Sequence, residues 1–234
     1  MKVRNVAHVV TTLSVELRET HRVLHVRVDE DDLETARLEW GSDYILNQVT
    51  EQALKDERQQ LEQLLRPISL GLVDGVGDIR GGMWEIWAHV KIQEGGTFRV
   101  RVACGSSPPA DTLTIAPSPD IFVFRSLDRV RHQPDGIYCK PKQRNWPSID
   151  SLQQPQWLYQ MTINPDKRVV KGQGLQDAIC ALKCDSQHVR YIVVVPPMLY
   201  QSFGPLQVKA TGHVNATVAA ELQERTTQWI MEVK

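Results

Sequence analysis

The chain has 234 residues, of which 41% are hydrophobic and 24% charged, with 27 Lys+Arg against 28 Asp+Glu. That composition belongs to a folded globular chain and excludes a disordered or fibrous one. The net charge of -1 confines any nucleic-acid contact to a local basic patch. No apolar run reaches the roughly 20 residues of a membrane-crossing helix, so no membrane partner is expected. The opening MKVRNVAHVVTTLSVELRET is a poor secretory signal. Four cysteines, Cys104, Cys139, Cys180 and Cys184, are too few for a disulfide framework and read as reduced thiols in an intracellular setting.

In chain order, residues 23–28 alternate apolar and polar side chains, which predicts a strand. Residues 33–66 carry Trp40, Ile45, Leu46, Val49, Leu54, Leu61, Leu64 and Leu65 at three- and four-residue spacings. That pattern predicts helix, split at Gly41 and Ser42 and ended by Pro67. Five glycines in residues 71–82 predict a loop. It is no phosphate cradle, because no Gly-Lys pair occurs in the chain to open a P-loop helix. A domain boundary is placed there, between a mainly helical segment, 1–78, and a second domain, 79–234.

Residues 83–93 predict a helix with Trp84 and Trp87 as core or interface anchors. Strands follow at residues 98–102, 120–125 and 136–140, with a loop at 105–109. Residues 156–163 predict a buried strand and Asn164-Pro165-Asp166 a turn. Residues 174–183 predict an amphipathic helix, with Cys180 and Cys184 on one buried face. Residues 190–195 have the continuous apolarity of a strand covered on both faces. A helix at 214–222 and a strand at 228–233 complete an α/β mixed-sheet sandwich.

Several groups stand out against this frame. Gln160 lies inside an apolar strand and needs a partner, because a buried unpaired amide costs about 1–3 kcal/mol. Glu85 and Asp150 offer carboxylate oxygens of the kind a divalent cation prefers, and Gln160 offers a carbonyl oxygen. Lys167 or Lys171 could orient an attacking water or neutralise developing charge. Lys140, Lys142 and Arg144, beside Trp146, form a basic patch suited to a phosphate backbone.

The blocks RGGMWEIWAH (80–89), GGTFRVR (95–101), GIYCKP (136–141), IDS (149–151), LYQMT (158–162) and VKGQGL (170–175) resemble a known family. They are similar to the C-terminal domains of Crinkler-type effectors and of the retrotransposon hot spot proteins of trypanosomes. Those domains are regarded as divergent members of the restriction-endonuclease-like, PD-(D/E)XK, superfamily. The resemblance implies a metal-dependent nuclease, a hydrolase using Mg²⁺ or Mn²⁺ on DNA or RNA, in an effector that reaches a nucleus. It implies Glu85 as the acid of the first core helix and Asp150 as the acid of the second motif, both as metal ligands. Gln160 then stands where an acid is usual and Thr162 where a lysine is usual, so the catalytic lysine would have moved to Lys171 or Lys167. In the family a P-loop NTPase module precedes this domain, so such a partner would act in trans. The loss of one carboxylate also sustains an alternative: an inactive module of the same fold that binds nucleic acid or a protein. The one literal acid-x-Lys, Glu232-Val233-Lys234, lies at the C-terminal end and is discounted.

Overall fold

The computed structural model describes residues 24–28, 36–42, 44–45, 77–103, 111–143, 146–184 and 189–234. The chain forms two units, Met1–Trp87 and Ala88–Lys234.

In the first unit, β1 (Leu24–Val28) pairs antiparallel with β2 (Ala36–Trp40), with Leu24 opposite Trp40 and Val26 opposite Leu38. The strand expected at residues 23–28 is present. The helix expected from residue 33 is not, over residues 36–40. Ala36, Leu38 and Trp40 alternate with Arg37 and Glu39, and this period of two prevails over the three- and four-residue spacing once a partner strand lies alongside. Helix α1 (Gly77–Glu94) starts inside the glycine-rich stretch, so residues 77–82 are helical where a loop is expected. Each glycine costs about 1 kcal/mol relative to alanine in a helix. Burial of Met83, Trp84, Trp87, Ala88 and Ile92 along the same helix outweighs that cost. Gly41 and Ser42 are non-helical and Tyr44 and Ile45 are helical, with the Ile45 N–H donating to Ser42 Oγ at 3.2 Å, in keeping with the split expected there. The remaining expectations for residues 1–76, and the loop at 105–109, lie outside the described residues.

The second unit is α/β. After α1 come β3 (Gly96–Val102), β4 (Asp111–Ile115), β5 (Ile121–Phe124), a 3-10 turn (Leu127–His132) and β6 (Tyr138–Pro141). Then follow β7 (Ser151–Gln153), β8 (Trp157–Met161), β9 (Val169–Lys171) and α2 (Gly172–Cys180). The chain ends with β10 (Val189–Val195), the short α3 (Pro197–Tyr200), β11 (Gln207–Lys209), α4 (Ala216–Arg225) and β12 (Thr226–Glu232). Among the described residues, eight strands form one mixed sheet in the order β4-β3-β12-β10-β8-β7-β6-β5. β10 lies parallel to both β8 and β12, while β6, β7 and β8 run antiparallel in succession. Separately, β9 and β11 form a parallel pair.

The apolar stretch at 190–195 is the middle of this sheet, with Tyr191 through Val195 buried on both faces as its composition demands. On one face, Leu158, Tyr191, Val193, Val195 and Ile230 share a core with Leu175, Ala178 and Ile179 of α2 and Ala219 and Leu222 of α4. Each fully buried Leu, Val or Ile among them contributes about 1.5–3 kcal/mol. The opposite face carries Tyr138, Ser151 and Tyr159, and Tyr138 meets His89 edge-on at 5.9 Å.

Helix α2 ends at Cys180, short of the expected 183. The buried amide of Gln154 ends it. Gln154 donates to the carbonyls of Ala181 (2.8 Å) and Val130 (2.9 Å) and accepts from the Lys183 backbone N–H (2.9 Å). The chain then turns away, with the Cys184 N–H bonded to the Pro155 carbonyl at 3.1 Å. Cys180 and Cys184 therefore do not share a buried helix face: Cys180 is exposed and Cys184, beyond the helix, is half-buried. Strands β4, β7, β9 and β11 have no counterpart in the expected elements. Three of them, β7, β9 and β11, span only three residues, too few to show a period.

Candidate functional site

The register of β7 and β8 builds the site. Ser151 lies opposite Tyr159 and Leu152 opposite Leu158, so Asp150, one position before β7, falls opposite Gln160. The Asp150 backbone N–H donates to the Tyr159 carbonyl at 2.8 Å. Its side-chain Oδ2 accepts from the Met161 backbone N–H at 2.6 Å and from the Gln160 amide Nε2. The partner that Gln160 requires is thus the Asp150 carboxylate. Gln160 Nε2 lies also 3.4 Å from the Met161 carbonyl. The amide is occupied through its nitrogen, which leaves its Oε1 as the atom able to act as a ligand.

The segment leading into Asp150 is pinned from two sides. Ser148 Oγ donates to the Lys171 carbonyl at 2.7 Å, at the junction of β9 and α2. The Ser148 carbonyl accepts from the Tyr191 hydroxyl at 2.5 Å, from β10 in the floor of the sheet. Burial, and after it the negative charge of Asp150, pushes the Tyr191 hydroxyl well above its ordinary 10.0. At α2, a side chain on Gly174 would lie 2.6 Å from Pro147 Cβ and 2.8 Å from its carbonyl oxygen. Only glycine lets the helix approach the segment so closely.

The expected site residues fall as follows. Asp150 and Gln160 are in direct contact. Lys171 is joined to the Asp150 segment through its main chain, with its side chain exposed. Lys167 is half-buried in the turn after β8, closed by its N–H to the Asn164 carbonyl at 3.3 Å. Thr162, at the position usually lysine, accepts from the Asn164 N–H at 3.0 Å and so shapes that turn. Lys140 is half-buried on β6 and Lys142 is exposed just after it. Trp146 packs edge-on against Phe124 at 5.4 Å, and Arg144 lies outside the described residues. Glu85 is half-buried on α1 and belongs to the first unit. Glu232, the discounted acid, is buried on β12 and paired with Arg99 at 2.9 Å and Lys234 at 3.6 Å.

Ser148 and Tyr191 escape a reading of the sequence. Tyr191 is the one hydroxyl in the apolar run 191–195, which is the signal that could have singled it out. Ser148 between Pro147 and Ile149 carries no signal.

Among the described residues no group of three or more His, Cys, Asp or Glu side chains is placed to hold a metal ion. The donors at Asp150 are one carboxylate and one amide oxygen. That set fits Mg²⁺, which keeps several waters and is commonly held by one or two carboxylates together with substrate phosphates. It does not fit a structural zinc site, which needs four protein ligands. No protein-family model, curated protein or solved structure matches this chain.

Proposed function

We propose that the chain is a divalent-metal-dependent phosphodiesterase of restriction-endonuclease-like architecture that acts on nucleic acid. The observation that carries this reading is the direct hydrogen bond between Asp150 and Gln160 across β7 and β8. These are two of the positions that the resemblance to Crinkler-type and retrotransposon hot spot domains assigns to the site, ten residues apart in the chain. The mixed eight-stranded sheet with α2 and α4 against one face is compatible with that family's sandwich.

In this reading Asp150 and the Oε1 of Gln160 hold Mg²⁺ or Mn²⁺. When bound, the metal supplies Lewis acidity toward a phosphoryl oxygen and lowers the pKa of a coordinated water. The chain supplies the remainder. The Met161 N–H and the Gln160 amide hold the Asp150 carboxylate in place and aimed, both at Oδ2. Lys171 or Lys167 contributes the positive charge that the phosphoryl transition state requires. Lys140 and Lys142 contact the nucleic-acid backbone, and a P-loop NTPase acts as a partner in trans.

Asp150→Asn keeps the shape and an acceptor oxygen while removing the charge. Cleavage of supercoiled DNA, linear DNA and RNA is compared for wild type and Asp150→Asn, with Mg²⁺, with Mn²⁺ and with chelator. Metal-dependent cutting that disappears in the variant is expected. Equal cutting by both proteins overturns the assignment. Glu85→Ala, at the acid that the resemblance names on the helix, belongs in the same series.

A second reading is favoured by the neutrality of Gln160 and by the capture of Thr162 in a turn. The module would keep the fold and bind nucleic acid or a protein without cutting. It requires that the wild-type chain neither cleaves nor binds Mn²⁺ in calorimetry.

A further inference from the structure

We propose that Ser148 is a positioning residue for Asp150: the left-handed turn at Ser148 sets the register in which the Asp150 carboxylate faces Gln160. This inference rests on the reading of Asp150 as the metal-binding carboxylate.

Ser148 has φ of 69°, and among the described residues it is the one non-glycine with a positive φ. A side chain in that region is unfavourable and persists only where its surroundings over-determine it. Here they do. Its Oγ is bonded to the Lys171 carbonyl and its own carbonyl to the Tyr191 hydroxyl. The preceding Pro147 lies against Gly174, where no side chain fits. One anchor comes from the β9–α2 junction, one from the central strand β10, and one from the body of α2.

The consequence follows from strand geometry. β7 spans three residues, so its own ladder holds its register weakly, and its ends must supply the rest. A slip by one residue would turn every side chain of the strand to the other face. Asp150 would then leave Gln160 and the Met161 N–H, and Ser151 would leave Tyr138. At the far end Gln154 is anchored to Val130, Ala181 and Lys183. At the Asp150 end the anchor is Ser148.

The test uses the full chain and reads Mn²⁺ affinity by calorimetry alongside kcat and KM for metal-dependent cleavage. Ser148→Ala removes the bond to Lys171, and Tyr191→Phe removes the bond to the Ser148 carbonyl without changing the packing volume of the ring. Each is expected to weaken Mn²⁺ binding about 10-fold and to lower kcat by a similar factor, in the range typical of groups that orient a metal ligand. KM for nucleic acid stays within about twofold, because the backbone contacts are untouched. Ser148→Asn, which tolerates the left-handed region and keeps a donor, recovers most of the loss. A merely structural role would lower the unfolding midpoint without this split. If Ser148→Ala and Tyr191→Phe retain wild-type Mn²⁺ affinity and kcat while Asp150→Asn loses both, the role of Ser148 is overturned and the reading of Asp150 stands. A wild-type chain that neither binds Mn²⁺ nor cuts overturns both. Should Ser148→Ala fail to fold, Tyr191→Phe and Ser148→Asn decide.

Discussion

Asp150 and Ser151 are neighbours in the chain and face opposite sides of the sheet, and their surroundings differ in kind. Ser151 is fully buried. Its Oγ shares a hydrogen bond of 2.6 Å with the Tyr138 hydroxyl, which in turn lies 2.6 Å from His89 Nδ1. Tyr138 is also fully buried and His89 is 2% exposed. Asp150 is only half-buried, with its carboxylate held at one oxygen by the adjacent strand. A buried polar network specifies a core, because its members depend on one another. A half-buried carboxylate beside an amide oxygen is a donor pair of the kind a hard cation takes. Alternation at the start of β7 therefore separates a buried polar cluster from a half-buried carboxylate–amide pair.

This contrast predicts two separable kinds of damage. Tyr138→Phe removes the hydroxyl that Ser151 and His89 share, and a cost of about 2–4 kcal/mol is expected. Urea unfolding measures it, and Mn²⁺ affinity at Asp150 should not change. A variant that lost metal binding as well would dissolve the distinction between the two faces. Gly174→Ala is expected to cost less, about 1–3 kcal/mol, by overpacking against Pro147. Unlike Tyr138→Phe, it should weaken cleavage too, because it displaces the segment that carries Asp150.

The smallest effect is a dependence on alkaline pH. Burial pushes the Cys139 thiol from 9.0 up to about 12. In the unfolded chain this thiol ionises near 9.0, while the folded chain keeps it protonated. The unfolded state therefore gains relative to the folded one as pH rises from about 9 toward about 12, and the stability is fully present below that window. Tyr159, raised above 10.0 by burial and then by Tyr138, adds a loss of the same sign at higher pH. Urea midpoints measured between about pH 8 and pH 11 should fall, and fall less in Cys139→Ala. A flat profile would mean that the thiol is not sealed in the core.

Legibility in the sequence tracks the length over which a pattern runs. β10 and β12 each span seven residues and are read directly from their apolar character. β8 is also legible, and the lone Gln160 within it correctly announces a partner. The expected helix at 174–183 is present but overruns, because Gln154, from a distant part of the chain, ends it. The helical reading at residues 36–40 fails because five residues satisfy two periods, and the antiparallel neighbour β1 decides between them. The glycine-rich stretch fails at residues 77–82 because local propensity is weaker than burial of the residues that follow. Of the site, Asp150 and Gln160 are legible as chemistry, whereas Ser148, Tyr191 and Gly174 are not.

Residue types in order were sufficient for the α/β class, the central strand and an amide in need of a partner, because each depends on local periodicity or on a desolvation cost set by one side chain. Tertiary structure alone decided that the partner is Asp150, that Lys171 meets the Asp150 segment through its carbonyl, and that Ser148 adopts a left-handed turn. These contacts depend on the register between strands and on the approach of α2 to a loop, and neither is set by any single segment of the chain.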